Sequence, residues 1–392
     1  MLRSLFSGIS GLRSHQTMLD VTGNNIANVN TTGFKSSQTQ FQDTLSQVLT
    51  NAGAPTAGTG GTNPAQVGLG VKVAAITTNF QQGAAQTTNR STDVMVSGDG
   101  FFAVKQGAQT FYTRNGAFDF DANGRLVNSE GAFVQGWAAD ADGNVDSAGA
   151  LTNLTLPMTT LVGARATTEI TFGGNLPHDA AVGTVLVRDV EVFDAVGTAG
   201  TVSLTFTYNG GGEWGVVGAD GVNTTNATVT FDANGLLATG GALTVGARTV
   251  DLSAVTGYAA LTTVEALTKN GAQAGALQSF QINADGTVIG AFSNGTKQAV
   301  GRIALATFAN PVGLQKAGGS MYQTSVNSGD PALGVPGQGG RGGLIGGALE
   351  MSNVDLSQEF TNLIIAQRGF QANSRVITTS DELLQELVNL KR

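Results

Sequence analysis

Apolar residues recur every seven positions at the two ends of this chain. Near the start the repeat runs through Leu5, Leu12, Leu19 and Ile26, with Leu2 and Ile9 beside it. Near the end it runs through Leu349, Leu356, Leu363, Phe370, Ile377 and Leu384. This period is typical of a helix that buries one narrow stripe against another helix. The two ends are therefore predicted to form helices that pair as in a coiled coil, with Phe360 also on the C-terminal stripe.

The N-terminal helix is expected to run from about Leu2 to Val29, with a break or kink near Gly23. Four asparagines then follow in quick succession: Asn24, Asn25, Asn28 and Asn30. Asparagine side chains bond the local backbone and oppose helix formation, and the Thr-Thr-Gly of residues 31–33 is typical of a turn. After Phe34, the spacing of Phe41, Leu45 and Val48 predicts a further amphipathic stretch of helical period. Residues 53–70 are interpreted as an extended Gly-rich linker.

From about Val71 the pattern changes to the alternation that is typical of strands. Strands are predicted near residues 93–97, 101–104 and 111–114, separated by Gly-rich turns. A Phe-Asp-Ala-Asn-Gly-x-Leu turn occurs at residues 120–126 and 231–237, with a looser copy at 282–288. Asn or Asp before Gly tolerates the positive φ that tight hairpin turns require. Hairpins are therefore expected throughout the body of the chain.

A Thr- and Gly-rich stretch at about residues 151–281 predicts a separate β-sandwich or barrel inserted into the preceding domain. Residues 185–193 and 201–208 have good strand patterns, and residues 262–269 are the candidate for a short helix. A second Gly-rich stretch, residues 329–347, precedes the last helix. Each terminal helix would thus join the body through a Gly-rich connector, which would let the helices and the body change their relative angle.

The expected fold is mainly β with terminal α-helices: the two helices form a coiled-coil-like domain, and two β-rich domains lie between them. The expected segments, in order, are the N-terminal helix and Asn-rich connector motif (1–34), the amphipathic segment and linker (35–70), the first β-domain's N-terminal part (71–150), the inserted outer β-domain (151–281), the first β-domain's C-terminal part and linker (282–347), and the C-terminal helix (348–392).

Composition excludes several classes of function. Charged residues are only 12% of the chain and hydrophobic residues 41%, which is too apolar for a disordered protein. The formal net charge of −8 argues against a nucleic-acid partner. The longest apolar runs are too short for a membrane-spanning helix, and the N-terminus lacks the apolar core of a cleaved signal peptide. With no cysteine, the chain has neither disulfides nor thiolate metal sites.

The sequence offers little that could support catalysis, a metal or a cofactor, and none of the three is predicted. The two histidines, His15 and His178, have no partner at metal-ligand spacing. Residues 140–146 alternate oxygen-bearing side chains as calcium loops do, but the glycine is misplaced and a hairpin tip is the preferred interpretation. Glycines at 337–343 lack the Gly-Lys-Ser/Thr ending of a phosphate-binding loop.

The terminal stripes can be explained by an ordinary helical hairpin or by assembly with other copies. Two narrow stripes bury too little surface to hold a free domain together, so the helices are expected to fray in an isolated subunit and to order against neighbouring copies.

Several long motifs give the chain a resemblance to a known family. They are SGISGL (7–12), LDVTGNNIANVNTTGFK (19–35), VGLGV (67–71), GDGFFAV (98–104), YTRNGAF (112–118), GALEMSNVDL (347–356) and QRGFQANSRVI (367–377). Together they resemble the N-terminal, first β-domain and C-terminal signatures of the bacterial flagellar rod and hook proteins. In that family the connector motif corresponds here to Asn24, Asn25, Asn28, Asn30, Thr32, Gly33 and Phe34. A packing role is expected for it, with the asparagines satisfying backbone groups between adjacent subunits.

The resemblance implies a self-assembling helical tube that joins the motor's rod to the filament, encloses an export channel, and transmits torque as a flexible universal joint. The stretch at 151–281 favours the hook subunit over the typically shorter distal rod subunit. The implied partners are other copies of the chain, a rod protein, a hook cap or scaffolding protein, a hook–filament junction protein and the flagellar type III export apparatus. The implied location is the extracellular hook of the basal body, reached without a cleaved signal and without membrane insertion.

Two other classes remain open. A secreted adhesin-like or carbohydrate-binding β-protein would explain the Thr- and Gly-rich body but not the seven-residue repeats. A secreted polysaccharide-cleaving enzyme would need paired carboxylates in a cleft.

Overall fold

A computed structural model describes residues 2–55, 58–140, 142–158 and 161–389. They form a mainly β protein with two long helices, α1 (Leu2–Ala27) and α2 (Leu356–Asn389), and one short 3-10 helix (Pro311–Gly313). The predicted break near Gly23 is wrong, because α1 runs through it without interruption. An exposed glycine weakens a helix by only about 1 kcal/mol, which the rest of α1 can tolerate.

In the described ranges, thirty strands lie between the helices. The first twelve are β1 (Ser37–Asp43), β2 (Ser46–Thr50), β3 (Ala65–Gly68), β4 (Val71–Thr78), β5 (Ala85–Thr87), β6 (Val94–Ser97), β7 (Phe101–Gln106), β8 (Gln109–Thr113), β9 (Phe118–Phe120), β10 (Leu126–Asn128), β11 (Phe133–Ala138) and β12 (Thr152–Asn153). The next nine are β13 (Glu169–Asn175), β14 (Val185–Phe193), β15 (Ala199–Gly210), β16 (Glu213–Ala219), β17 (Thr224–Phe231), β18 (Leu237–Thr239), β19 (Ala242–Val245), β20 (Arg248–Thr256) and β21 (Glu265–Lys269). The last nine are β22 (Leu277–Ile282), β23 (Thr287–Phe292), β24 (Lys297–Ile303), β25 (Leu305–Thr307), β26 (Gln315–Gly318), β27 (Met321–Gln323), β28 (Ala332–Gly334), β29 (Gly343–Gly346) and β30 (Ala348–Glu350).

The chain forms two compact units. Unit 1 contains residues 1–155, 281–289 and 299–392, and unit 2 contains residues 156–280 and 290–298. In unit 1, the central strands follow the order β24-β11-β7-β8-β27-β26, with β9, β10, β12, β25 and β28 attached. Aromatic side chains fill much of its core: Phe101, Tyr112, Phe308 and Tyr322 pack edge to face.

Unit 2 is a β-sandwich. A five-stranded sheet, β14-β15-β16-β17-β18, and a four-stranded sheet, β19-β20-β13-β21, share one hydrophobic core. Strands β15 and β16 place alternate residues in that core, among them Phe206 and Trp214. Strand β14 has the bounds that its alternation predicts, whereas the short helix predicted at 262–269 is wrong because residues 265–269 form β21.

The helical period predicted after Phe34 is also wrong. Phe41 lies in β1, and Val48 lies in β2. Strand β1 is polar at every position except Phe41, and it pairs in antiparallel register with β4, so strand pairing rather than an apolar helical period decides the local structure. Strands β2 and β3 form a second antiparallel pair, and β3 lies within the segment that was predicted to be linker.

The recurring Asn-Gly turns take their positive φ at glycine alone, at Gly124, Gly235 and Gly286. In the first two turns, an aspartate carboxylate accepts backbone N–H groups: Asp121 from Asn123 and Arg125, and Asp232 from Asn234 and Leu236. The Asn or Asp before each glycine does not need the left-handed conformation that it can tolerate. The aspartate at the start of the turn, rather than the asparagine, organises the loop.

Candidate functional site

The two terminal helices pack against each other in antiparallel register through small and polar residues. A Cβ at Gly8 would lie 3.4 Å from the Ile377 side chain, one at Gly11 2.6 Å from Asn373, and one at Gly369 2.5 Å from the His15 ring. These glycines let the helices approach closely. The line of closest contact therefore runs mainly through small and polar residues beside the predicted apolar stripes, and it meets the C-terminal stripe at Ile377.

The residues of the predicted stripes lie beside this line. In α1, the side chains of Leu5, Ile9, Leu12, Leu19 and Ile26 are half-buried. In α2, those of Leu363, Phe370, Ile377 and Leu384 are half-buried, whereas Leu356 and Phe360 are 39% and 52% exposed. Other exposed apolar side chains on the helices are Phe6, Ile364, Ile365, Val376, Leu383 and Val388. The helix pair in one chain thus leaves much apolar surface uncovered.

Asn25 holds the end of α1 to two other segments. Its Nδ2 donates to Ser37 O (2.8 Å) and to Glu359 Oε1 (3.0 Å), and its Oδ1 accepts the Ser37 N–H (3.0 Å). The side chain is 1% exposed. The Asn25 amide is therefore satisfied within the same chain.

The rest of the connector motif ends α1 and begins the crossing to the β-structure. Asn28 Nδ2 donates to Asn24 O (2.9 Å), which satisfies a carbonyl in the last turn of the helix. Thr32 Oγ1 bonds Asn115 Oδ1 (3.1 Å). Gly33 has φ +67°, and a Cβ there would lie 2.6 Å from Asn115 N, so both conformation and space require glycine.

Two other positions of the motif are less enclosed. Phe34 is half-buried, with Lys316 Nζ 5.2 Å from the centre of its ring. Asn30 is exposed.

A buried charge cluster follows directly in the sequence. Lys35 Nζ donates to Glu350 Oε1 (2.6 Å) and to Gln81 O (2.6 Å), and both charged side chains are fully buried. Arg114, 2% exposed, lies 3.6 Å from Glu350 Oε2. Burial lowers the pKa of Lys35, an effect that its bond to Glu350 opposes. The cluster ties the N-terminal connector to strand β30, which leads to α2.

A second set of polar residues precedes α2. Asn353 Oδ1 accepts the Ser36 N–H (2.8 Å), and its Nδ2 donates to Asn79 O (2.8 Å). Asp355 caps α2 by accepting the N–H groups of residues 357 and 358. Burial raises the pKa of Glu359, an effect that the hydrogen bond from Asn25 opposes.

We call residues 25–37 together with 350–359 the connector junction. Its hydrogen bonds and buried ion pair join the two helices directly to the β-structure of unit 1, in addition to the Gly-rich connectors that the sequence predicted. Residues 329–347 are likewise held by strands β28 and β29, and Gly347 N donates to Asp93 O (2.8 Å). Sequence reasoning missed Lys35, Glu350 and Glu359 as junction residues. Lys35 and Glu350 lie inside two of the family motifs, and few residues of this chain are charged. Their presence there was the signal that could have identified them.

The structure offers little for catalysis or metal binding. In the 140–146 loop, Asp140 Oδ1 accepts the N–H groups of Asp142 and Asn144, as in a hairpin tip. His15 packs edge-on against Phe41 (5.6 Å between ring centres). The described residues contain no cluster of His, Asp and Glu side chains that could hold a metal ion. Among the helices of the described ranges, none is long and apolar enough to cross a membrane.

Comparison with known families gives three matches along the chain. Residues 5–35 match the family described as flagella basal body rod protein, and residues 95–175 match the flagellar hook protein FlgE/F/G D1 domain. Residues 345–390 match the C-terminal domain of the flagellar basal body rod FlgEFG proteins. The first match contains residues 25–35 of the connector junction, and the third contains residues 350–359.

Curated relatives match the whole chain. The flagellar hook protein FlgE of Borreliella burgdorferi is 40% identical, with 100% of both chains covered. The chain belongs to the flagellar hook and rod protein family. This family consists of structural parts of the flagellum. FlgE of Escherichia coli is 38% identical, with 98% of each chain covered.

A rod protein of the same family is also similar over the full length. The flagellar basal-body rod protein FlgG of Bacillus subtilis is 35% identical, with 100% of both chains covered. A rod protein can therefore also match the whole length of this chain, including the stretch at residues 151–281 that favours the hook. Among solved structures, Helicobacter pylori flagellar hook protein FlgE2 has a TM-score of 0.53 at 14% identity, covering 66% of this chain and 98% of that one. That likeness supports the fold.

Proposed function

We propose that this chain is the structural subunit of the flagellar hook, a helical tube of many identical copies that carries torque from rod to filament. The observation that carries the proposal is full-length similarity to hook proteins at 38–40% identity. The terminal helices, with their uncovered apolar side chains, support self-assembly, because large exposed apolar surfaces on a soluble subunit mark interaction sites.

In the tube, α1 and α2 of successive copies would line the central export channel. Leu5, Ile9, Leu12, Leu19 and Ile26 on α1 would pack against neighbouring copies, as would Leu356, Phe360, Leu363, Phe370, Ile377 and Leu384 on α2. The β-structure of unit 1 would form a middle layer and unit 2 the outer layer. The exposed termini would order fully when this packing forms.

The connector junction changes the expected mechanism of bending. Within one subunit, Lys35, Glu350 and Asn25 hold the helices to the β-structure. Bending would then occur between subunits, where outer layers slide on polar, exchangeable contacts while the inner helical contacts persist. A stiff subunit would transmit torque from its helices to its β-structure without a change in their relative position.

The proposed partners are a rod protein at one end of the tube, a hook–filament junction protein at the other, and a cap or scaffolding protein during growth. Export would use the flagellar type III apparatus without a cleaved signal peptide. The proposed location is the hook, outside the cell.

The second candidate function is a distal rod subunit, which the FlgG relative favours. Immunogold electron microscopy of intact flagella, with antibody raised against residues 151–281, separates the two. We expect label confined to a short curved segment outside the cell. Label that appears only on basal bodies stripped of the envelope would overturn the hook and establish the rod.

A further inference from the structure

The end of α2 extends beyond the start of α1. In their antiparallel register, Gly8 lies beside Ile377, and Asn25 beside Glu359. The same register places Leu2 next to Glu382. Residues 383–389 of α2 therefore have no described residue of α1 beside them, a length of about 10 Å at 1.5 Å per residue.

This end of α2, together with the two residues before it, is acidic and apolar. Asp381, Glu382 and Glu386 are exposed, and so are Leu383 (47%) and Val388 (69%). We call these five residues the acidic end. Among the ion pairs of the described residues, none involves its three carboxylates. Lys391 and Arg392 follow in the sequence and lie outside the described residues.

A groove of complementary character lies beside α1. It has a volume of about 400 Å³ and is lined by apolar Phe6, Ile9, Val71 and Val73 together with Arg13 and Lys72, and we call these six residues the basic groove. Phe6 is 64% exposed, and Arg13 and Lys72 are exposed. No carboxylate lies among its described lining residues.

We propose that the basic groove of one copy receives the acidic end of α2 from a second copy. Leu383 and Val388 would pack against Phe6 and Ile9, while the carboxylates face Arg13 and Lys72. The proposal is based on the complementary character of the two surfaces. The acidic end carries carboxylates and apolar side chains, and the basic groove carries cations and apolar side chains. The proposal rests on the proposed self-assembly and names two of its contacting surfaces.

The geometry fits an open polymer. A chain's own acidic end is directed away from its own groove, since the groove residues on α1 lie beside about residues 371–378 of α2. The contact therefore joins two different surfaces on two copies. Such head-to-tail contacts extend indefinitely unless the rotation closes a ring, and so they generate helical assemblies.

Cysteine cross-linking tests the contact directly, because the native chain contains no cysteine. The variant is Ile9→Cys with Val388→Cys, assembled into hooks in the bacterium that encodes the chain. Within one subunit these residues are separated along the helix axis by about 20 Å, too far for a disulfide. Mild oxidation should therefore give a ladder of covalent oligomers on a non-reducing gel.

Matched controls use each single cysteine and the pair Val388→Cys with Val222→Cys, whose side chain in unit 2 is 91% exposed. We expect at most dimers from the single variants and no ladder from the control pair. Assembled hooks in which Ile9→Cys with Val388→Cys gives no ladder would overturn the contact while leaving the proposed function intact.

Charge reversal gives an independent readout. Arg13→Glu with Lys72→Glu, or Asp381→Lys with Glu382→Lys and Glu386→Lys, should each lower the polymerised fraction about tenfold or more, because like charges would face each other. Combining both sets should restore polymer. Combined variants that assemble no better than either set alone would show that these surfaces do not meet.

Discussion

At the residue scale, the connector junction depends on charges that the chain otherwise uses sparingly. Lys35 and Glu350 are far apart in sequence and fully buried together. Removing one member of such a pair leaves the other charge buried without compensation, which is far more costly than the net contribution of the pair itself. Replacing Lys35 would remove the nearer of the two cations beside Glu350 and would leave only Arg114, 3.6 Å away.

Lys35→Met should lower the free energy of unfolding of unit 1 by about 3–5 kcal/mol. Urea unfolding followed through Trp137 in a Trp214→Phe background reports on unit 1, because Trp137 lies there and Trp214 lies in unit 2. The control is Lys105→Met, an exposed lysine on β7, for which we expect a change within about 0.5 kcal/mol. Equal effects of the two substitutions would contradict the role assigned to Lys35.

The sequence allowed only part of this site to be predicted. The motif positions from Asn24 to Phe34 were identifiable because they form a long, specific signature. The partners of Asn25 were not, because Ser37 and Glu359 approach it only through the tertiary fold. A periodic pattern in the sequence shows which face of a helix or strand is apolar. It does not show which distant residues will meet in a buried hydrogen bond or ion pair.

At the element scale, the seven-residue repeats correctly predicted two helices but not their line of contact. Glycine has no side chain and so contributes nothing to an apolar period, yet Gly8, Gly11 and Gly369 set the approach of the helices. The strands of unit 2 were easier to predict, because alternation along β14 and β15 follows burial directly. The helical stretch predicted at residues 35–50 was wrong, because apolar residues on two successive strands happen to have helical spacing.

Two glycines of α1 provide a matched pair for testing the contact. Gly23→Ala should stabilise the helix by about 0.5–1 kcal/mol, because a Cβ there meets no atom within 4 Å. Gly11→Ala should lose that gain, because its methyl group must displace the Asn373 amide, whose Nδ2 bonds Gly369 O (2.8 Å). Thermal unfolding followed by circular dichroism at 222 nm distinguishes them. The same increase for both would mean that the helices do not pack at Gly11.

At the scale of the whole molecule, the chain has two separate sets of core residues. Unit 2 has the single sandwich core that contains Trp214, and unit 1 has cores around Phe101 and around Trp137. Units with their own cores can unfold at different denaturant concentrations, and a single free energy of unfolding then describes neither.

The two tryptophans should therefore report different transitions. In guanidinium titrations we expect Trp137→Phe, which follows Trp214, and Trp214→Phe, which follows Trp137, to give different midpoints. The assembled hook provides the comparison, because contacts between copies should raise the midpoint for unit 1. Coincident midpoints in the isolated subunit would mean that the two units unfold as one.

The bonds of the connector junction also impose an order in time. Asn25 meets Glu359 across 334 residues of sequence, and Lys35 meets Glu350 across 315. Contacts between such distant segments form only when both are present together, whichever end of the chain leaves a narrow passage first. A chain truncated before Glu350 cannot close its junction. In the proposed assembly, completion of the junction therefore requires that both ends of the subunit are present.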